Sequence, residues 1–156
     1  MIQTEGDLWQ MPGDARVITT NGTILTSRRG VMGRGVAKQA AQRYLGCAQR
    51  LGRYLQRWGN HTGVLIEAGE ETDTPLVVLP VKHAWHEPAD VELILRSLDE
   101  LVALTEVRGW RRVVLPRPGC GSGQLYWIDI EPLVEARLDD RFLVLEKSSI
   151  RGLKKA

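Results

Sequence analysis

Short apolar runs set between helical patterns constrain this chain more than any other feature. LVVLP at 76–80 and RVVLP at 112–116 are short and apolar enough to be fully buried strands, and FLVLE at 142–146 reads as a last strand. ARVITT at 15–20 is rich in β-branched residues and reads as another, with residues 64–67 a further candidate. Between these runs lie helical segments over 35–45, 47–58, 89–108 and 127–138. The second is closed by Gly59-Asn60. In the third, Ile94, Leu98, Leu101 and Thr105 recur at helical spacing, Asp90 can cap the start and Gly109 can stop the end. Strands alternating with helices predict a three-layer α/β/α sandwich around a central mixed sheet of about six strands.

The 156 residues suit one domain, expected over 1–147, with the polar, basic SSIRGLKKA of 148–156 as a frayed tail. No internal repeat interrupts the pattern. A net charge of +2 accommodates an acidic ligand without requiring nucleic acid, whose binding domains are more basic and more clustered. No apolar run approaches the roughly 20 residues of a membrane helix. The two cysteines, Cys47 and Cys120, form no spaced set, and no signal peptide is visible. A cytoplasmic monomer with reduced thiols is the expectation.

Two glycine-rich segments stand out. GVMGRGVAKQA at 30–40 and PRPGCGSGQLYW at 116–127 each precede a helix. Free backbone N–H groups and the helix dipole converge there on one point, which favours an anion. Glycine lets a backbone approach a phosphate closely. Either loop alone is better explained as a tight turn needing positive φ, but two in one small domain imply a ligand with two phosphates. The first reads G-x-x-G-x-G, the reverse of the dinucleotide fingerprint G-x-G-x-x-G. No acidic residue follows a second strand at the required distance, so a nicotinamide oxidoreductase is not the expectation. Lys82 follows the LVVLP run, separated from it only by Val81. A strand end holds a side chain rigidly, and partial burial there equips an amine to act as nucleophile, base or clamp. The bland alternative is a lysine that snorkels to solvent.

GDL at 6–8, TTN at 19–21, GVMGRGVA at 30–37, LPVKHAW at 79–85 and PRPGCGSGQLYW at 116–127 together resemble the macrodomain, the ADP-ribose-binding module. The motifs run in the family's order over about residues 1–146. They look closest to the branch of DNA ADP-ribosyl glycohydrolase antitoxins and the human terminal ADP-ribose glycohydrolase, in a phage or bacterial form. The resemblance implies that Asp7 accepts the adenine amino group, with the Leu8 backbone beside it. It implies that Gly33, Arg34, Gly35 and Val36 line one diphosphate loop. Gly119, Cys120, Gly121, Ser122 and Gly123 would wrap the diphosphate and distal ribose, with Asn21 near that ribose and Tyr126 or Trp127 covering one side. Lys82 would attack or polarise the anomeric carbon. The implied activity is removal of ADP-ribose from a modified macromolecule, DNA or protein. A non-cleaving reader of ADP-ribose and an ADP-ribose 1″-phosphate phosphatase are the rivals.

Gly123 stands where the human enzyme of the branch places an aspartate, whereas the antitoxin members resemble this chain in having glycine there and keeping the lysine; Ile18 stands where the protein-directed branch has its first asparagine. His83, His86 and Cys120 could form a metal site, but no CxxC or HExxH spacing supports one, and no metal or cofactor is expected. His86-Glu87-Pro88 reads as a loop above the site. Arg43, Arg50, Arg53 and Arg57 form a basic helix stripe, normally a solvated face and alternatively a grip on a nucleic-acid backbone. Of the five tryptophans, Trp85 is the one placed to leave the core, three residues after Lys82.

Overall fold

A computed structural model describes residues 1–69 and 71–147. The expected tail at 148–156 lies outside the described residues. In chain order the elements are β1 Ile2–Glu5, β2 Ala15–Asn21, α1 Gly35–Arg43, α2 Cys47–Trp58, β3 Gly63–Ile66, β4 Leu76–Lys82, α3 Val91–Arg108, β5 Val113–Pro116, α4 Trp127–Glu135 and β6 Phe142–Glu146. The strands form one sheet in the order β1-β6-β5-β2-β4-β3. Every pairing is parallel except β3 with β4. This is the expected three-layer sandwich with a mixed six-stranded sheet.

The uninterrupted apolar runs follow from that layering. Successive strand residues point to opposite faces, and both faces are covered. Val77, Leu79, Val113, Leu115, Phe142 and Val144 pack against Ile94, Leu98 and Leu101 of α3 and Ile130 and Val134 of α4. Ile18, Leu76, Val78, Val114, Leu143 and Leu145 pack under Ala37 and Ala40 of α1 and Cys47, Leu51 and Leu55 of α2. Ile18 is thus fully buried core.

The helix limits shift slightly from expectation. Asp90 caps α3 through its carboxylate on the Glu92 amide, and Gly109 ends that helix at φ 69°. The last helix stops at Glu135, three residues earlier than its pattern suggested. Strand β4 runs on through Lys82, two residues beyond the apolar run, because β2 continues beside it to Asn21. Strand β1 escaped the sequence reading. All four of its residues are exposed, so IQTE carries no apolar signal; its place is fixed by pairing with the edge of β6.

The polar stretch after β2 folds as a small antiparallel turn closed by an Ile24–Gly30 bridge. It rests on α2: the Gly30 amide donates to the Ala48 carbonyl at 2.8 Å. A Cβ on Gly52 would overlap the Arg28 carbonyl, so only glycine permits that close approach.

Candidate active site

Strands β2, β4, β5 and β6 are parallel, so their carboxyl ends share one edge of the sheet. From the adjacent β2 and β5, the chain leaves for opposite helical layers. Such a divergence is where an open α/β sheet holds its ligand. A cleft of about 1070 Å³ opens there, walled by the glycine loops that lead into α1 and α4.

Each loop presents uncommitted amides. Helix α1 has no side-chain cap and no acid in its first turn. Among the described residues, no backbone acceptor takes the amides of Gly33, Arg34, Gly35 and Val36, nor those of Gly121, Ser122 and Gly123. The second loop is shaped by its own bonds, from Leu125 N–H to the Gly119 carbonyl at 2.9 Å and from Ala89 N–H to the Gly123 carbonyl at 3.0 Å. The two loops approach across the cleft: a Cβ on Gly35 would lie 4.0 Å from Ser122 Oγ. The glycines divide by cause. Gly35 and Gly119 adopt φ of 58° and 76°. A Cβ on Gly123 would strike the Gly119 backbone, whereas one on Gly33 or Gly121 would meet nothing within 4 Å.

Lys82 lines the floor of this cleft. Thr20 pairs with Pro80 and Asn21 with Lys82, so Val81 is an extra residue that bulges β4 at its end. Bulges of this kind re-aim the following side chain. Burial, reinforced by the nearby Arg34 guanidinium, lowers the Lys82 amine below the ordinary lysine range. Neither thiol offers a competing nucleophile. Burial pushes Cys47 up to about 11 and also raises Cys120, which lines the cleft.

The other expected site residues divide. Arg34, Val36, Cys120, Ser122 and Tyr126 line the cleft with the loop glycines, and Tyr126 stands 75% exposed at its mouth. Trp127 forms a fixed wall, its indole N–H donating to Gln3 Oε1 at 3.1 Å under the Arg117 guanidinium. Asn21 lines the cleft too, but its side chain is engaged: Nδ2 donates to the Val31 carbonyl, and Oδ1 accepts from Thr23 N–H, both at 3.1 Å. It shapes the loop that leads to Gly33. Asp7 and Leu8 do not line the cleft. They follow β1, where the Gly6 amide donates to the carbonyl of Glu146, a lining residue, so they sit beyond the rim. One Asp7 carboxylate oxygen caps the Trp9 amide at 2.8 Å, and the Leu8 carbonyl accepts from Arg16.

Sequence reasoning did not assign Arg117, Glu146 and Lys147 to the site, yet all three line it. Each follows or ends a strand that finishes at this edge, and that position was the available signal. His83 does not join His86: its Nε2 lies 2.7 Å from Asp90 Oδ2, while His86 packs edge-on against Trp85. The arginine stripe is partly spent, with Arg43 over Trp9, Arg57 over Trp58 and Arg50 beside Glu71.

No protein-family model matches the chain. Two curated proteins, each described as a DNA ADP-ribosyl glycohydrolase, are 28% identical to it over 130 residues. They come from Mycobacterium bovis and Mycobacterium tuberculosis. The match covers 81% of this chain and 35% of each relative, so the chain spans about a third of their length. Among solved structures, the macrodomain of Mycobacterium tuberculosis DarG superposes with a TM-score of 0.77 at 23% identity, covering 94% of this chain and 97% of that one. The macrodomain of Thermus aquaticus DarG gives 0.76 at 24% identity, covering 92% and 95%. Thermosipho africanus DarTG in complex with ADP-ribose gives 0.72 at 18% identity, covering 92% of this chain and 40% of that one. The sheet order, the two glycine loops at its carboxyl edge and these superpositions lead to one conclusion: the chain has the macrodomain fold, in the form taken by the macrodomains of DarG.

Proposed function

We propose that the cleft binds ADP-ribose and that Lys82 drives its hydrolytic release from ADP-ribosylated DNA. One observation carries this reading: a partly buried amine at a rigid strand end, on the floor of a cleft whose two walls are loops of unspent backbone amides. The amides suit a diphosphate, one phosphate per loop. The distal ribose then projects towards Lys82. As the neutral amine bonds to the anomeric carbon, the bond from that carbon to the DNA breaks. The departing atom keeps the electron pair and takes up a proton. Water then displaces the lysine, giving free ADP-ribose and unmodified DNA. The curated relatives' description as DNA ADP-ribosyl glycohydrolases supports the reaction and the substrate class, and the ligand in the Thermosipho africanus structure supports the bound group.

The rim supports a nucleic-acid substrate. Trp85 lines the cleft 53% exposed, and its backbone N–H is held by the Thr23 hydroxyl at 2.9 Å. Thr23 adjoins the 24–30 turn, which carries exposed Arg28 and Arg29. An aromatic face beside exposed positive charges suits a single strand, because every base can stack and every phosphate can pair. Trp85→Ala should lower kcat/KM for an ADP-ribosylated oligonucleotide by about tenfold, in keeping with roughly 1–3 kcal/mol per stacked base. Its affinity for free ADP-ribose should stay near wild type. An unchanged kcat/KM would remove the rim from the reading.

The deciding experiment pairs calorimetric titration of ADP-ribose with release assays on ADP-ribosylated DNA and on glutamate-ADP-ribosylated protein. Release from DNA is expected. Binding without release from either substrate would make the protein a reader instead. Phosphate release from ADP-ribose 1″-phosphate, with the ribosyl bond intact in both substrates, would make it a phosphatase.

The pH profile tests the role of the amine. A lysine nucleophile acts unprotonated, so kcat/KM should rise with pH and level off below the ordinary lysine range, because burial and Arg34 lower that amine. Removing the guanidinium in Arg34→Gln should move the inflection to higher pH. An activity that falls as the lysine deprotonates would instead assign it a role as a fixed positive charge.

A further inference from the structure

We infer that Asn60 is a positioning residue for Lys82, holding the bulged end of β4 so that the amine faces the cleft. The inference rests on the reading of Lys82 as the reacting group. A bulge removes backbone groups from the ladder, and buried carbonyls need other donors. At the end of β4, three successive carbonyls are met from outside the sheet. Ser97 Oγ donates to Pro80 at 2.7 Å, the Asp90 amide to Val81 at 2.9 Å, and Asn60 Nδ2 to Lys82 at 3.0 Å. Two of these donors belong to α3 or its cap. Asn60 alone comes from elsewhere in the chain, out of the turn between α2 and β3.

That turn is fastened to α3. The Arg96 guanidinium donates to the Asn60 carbonyl. His61 Nδ1 lies 2.6 Å from Glu100 Oε2, and Thr62 Oγ1 donates to the Ser97 carbonyl at 2.8 Å. Asn60 is therefore a fixed donor. It also meets the other strand-end loop: a Cβ on Gly22 would come within 2.9 Å of Asn60 Nδ2 and 2.7 Å of the His83 carbonyl. The side chain packs where the loop after β2 meets the loop after β4, the two segments that follow Asn21 and Lys82.

A turn asparagine normally bonds to its own neighbourhood. Asn60 instead reaches a carbonyl 22 residues away, and its Oδ1 is buried with no partner. An orphaned amide oxygen is unfavourable, so the side chain is best explained by what its donor end holds.

Asn60→Leu keeps the branched shape in a larger side chain and removes donor and orphan together, and Asn60→Ala provides a second, smaller replacement that cannot crowd the strand end. Both should bind ADP-ribose within about threefold of wild type and lose kcat by about tenfold or more, the scale expected when a reacting group is displaced slightly. Unchanged kcat, or a loss of affinity equal to the loss of turnover, overturns the inference. Hydrogen exchange provides a readout that needs no turnover. In both variants the amides of residues 81–84 should exchange faster while those of β5 do not. If wild type releases nothing from any ADP-ribosylated substrate, the functional reading fails, and exchange alone decides the clamp. Equal exchange at 81–84 then rejects it.

Discussion

Lys82→Ala should bind ADP-ribose within about threefold of wild type and lose turnover by about 10³-fold or more. The asymmetry follows from what each part of the cleft can do. Amides of Gly33 to Val36 and of Gly121 to Gly123 meet a diphosphate that carries the same charge before, during and after the reaction. They hold substrate and transition state alike, so they lower KM without raising kcat. The anomeric carbon is different. Charge develops there only as its bond to the DNA breaks, and Lys82 is the group the reading brings to it. Removing the amine also takes one positive charge from a site suited to an anion, which is why a small change in affinity is expected. Lys82→Arg keeps the charge while offering no usable lone pair, since a guanidinium stays protonated. It should be as inactive as Lys82→Ala if the lysine bonds to carbon. Substantial activity in Lys82→Arg would leave only the electrostatic role, and full activity in Lys82→Ala would sink the mechanism.

Much of the fold was legible because burial on both faces leaves a strong trace. LVVLP and VVLP can be uninterrupted only where helices cover both sides of a sheet, and the core clusters divide their residues between the two faces. The same physics hid β1, an edge strand whose exposed residues needed no apolar signature. At the site, the glycine loops and Lys82 could be found from local context, since each lies just before a helix or at the end of a strand. Asn60 could not: it reaches the end of β4 through a bond across 22 residues of chain, and its sequence context is that of an ordinary helix stop. Asn21 illustrates a subtler limit. Its place at the strand end was readable, but the two bonds that engage its amide on Val31 and Thr23 exist only in the folded loop. Gly123 looked like a lost acid. A Cβ there would overlap the Gly119 carbonyl oxygen, so any side chain would force the second loop to move.

That last contrast yields the prediction with the largest effect on binding. Gly33→Val and Gly121→Val should each fold with a melting temperature close to wild type and weaken ADP-ribose binding by about 100-fold, equivalent to roughly 2.7 kcal/mol. Neither glycine is needed for its backbone angle, since neither has positive φ, nor for packing, since a Cβ would meet no atom within 4 Å. The protein alone gives no reason for glycine at either place. A diphosphate does, because a branched side chain would occupy the space from which the ligand reaches the amides. Gly123 and Gly119 should behave oppositely. A side chain at 123 meets the Gly119 backbone, and one at 119 meets Ile94 Cδ1 at 2.8 Å in a conformation with φ of 76°, so substitutions there should lower stability before affinity can be compared. ADP should lose affinity for the Gly33→Val and Gly121→Val variants by the same factor as ADP-ribose, and adenosine should lose none, which localises the defect to the phosphates. If both variants bind ADP-ribose as wild type does, the amides of these loops do not hold its phosphates, and the open glycines lose the reason given for them.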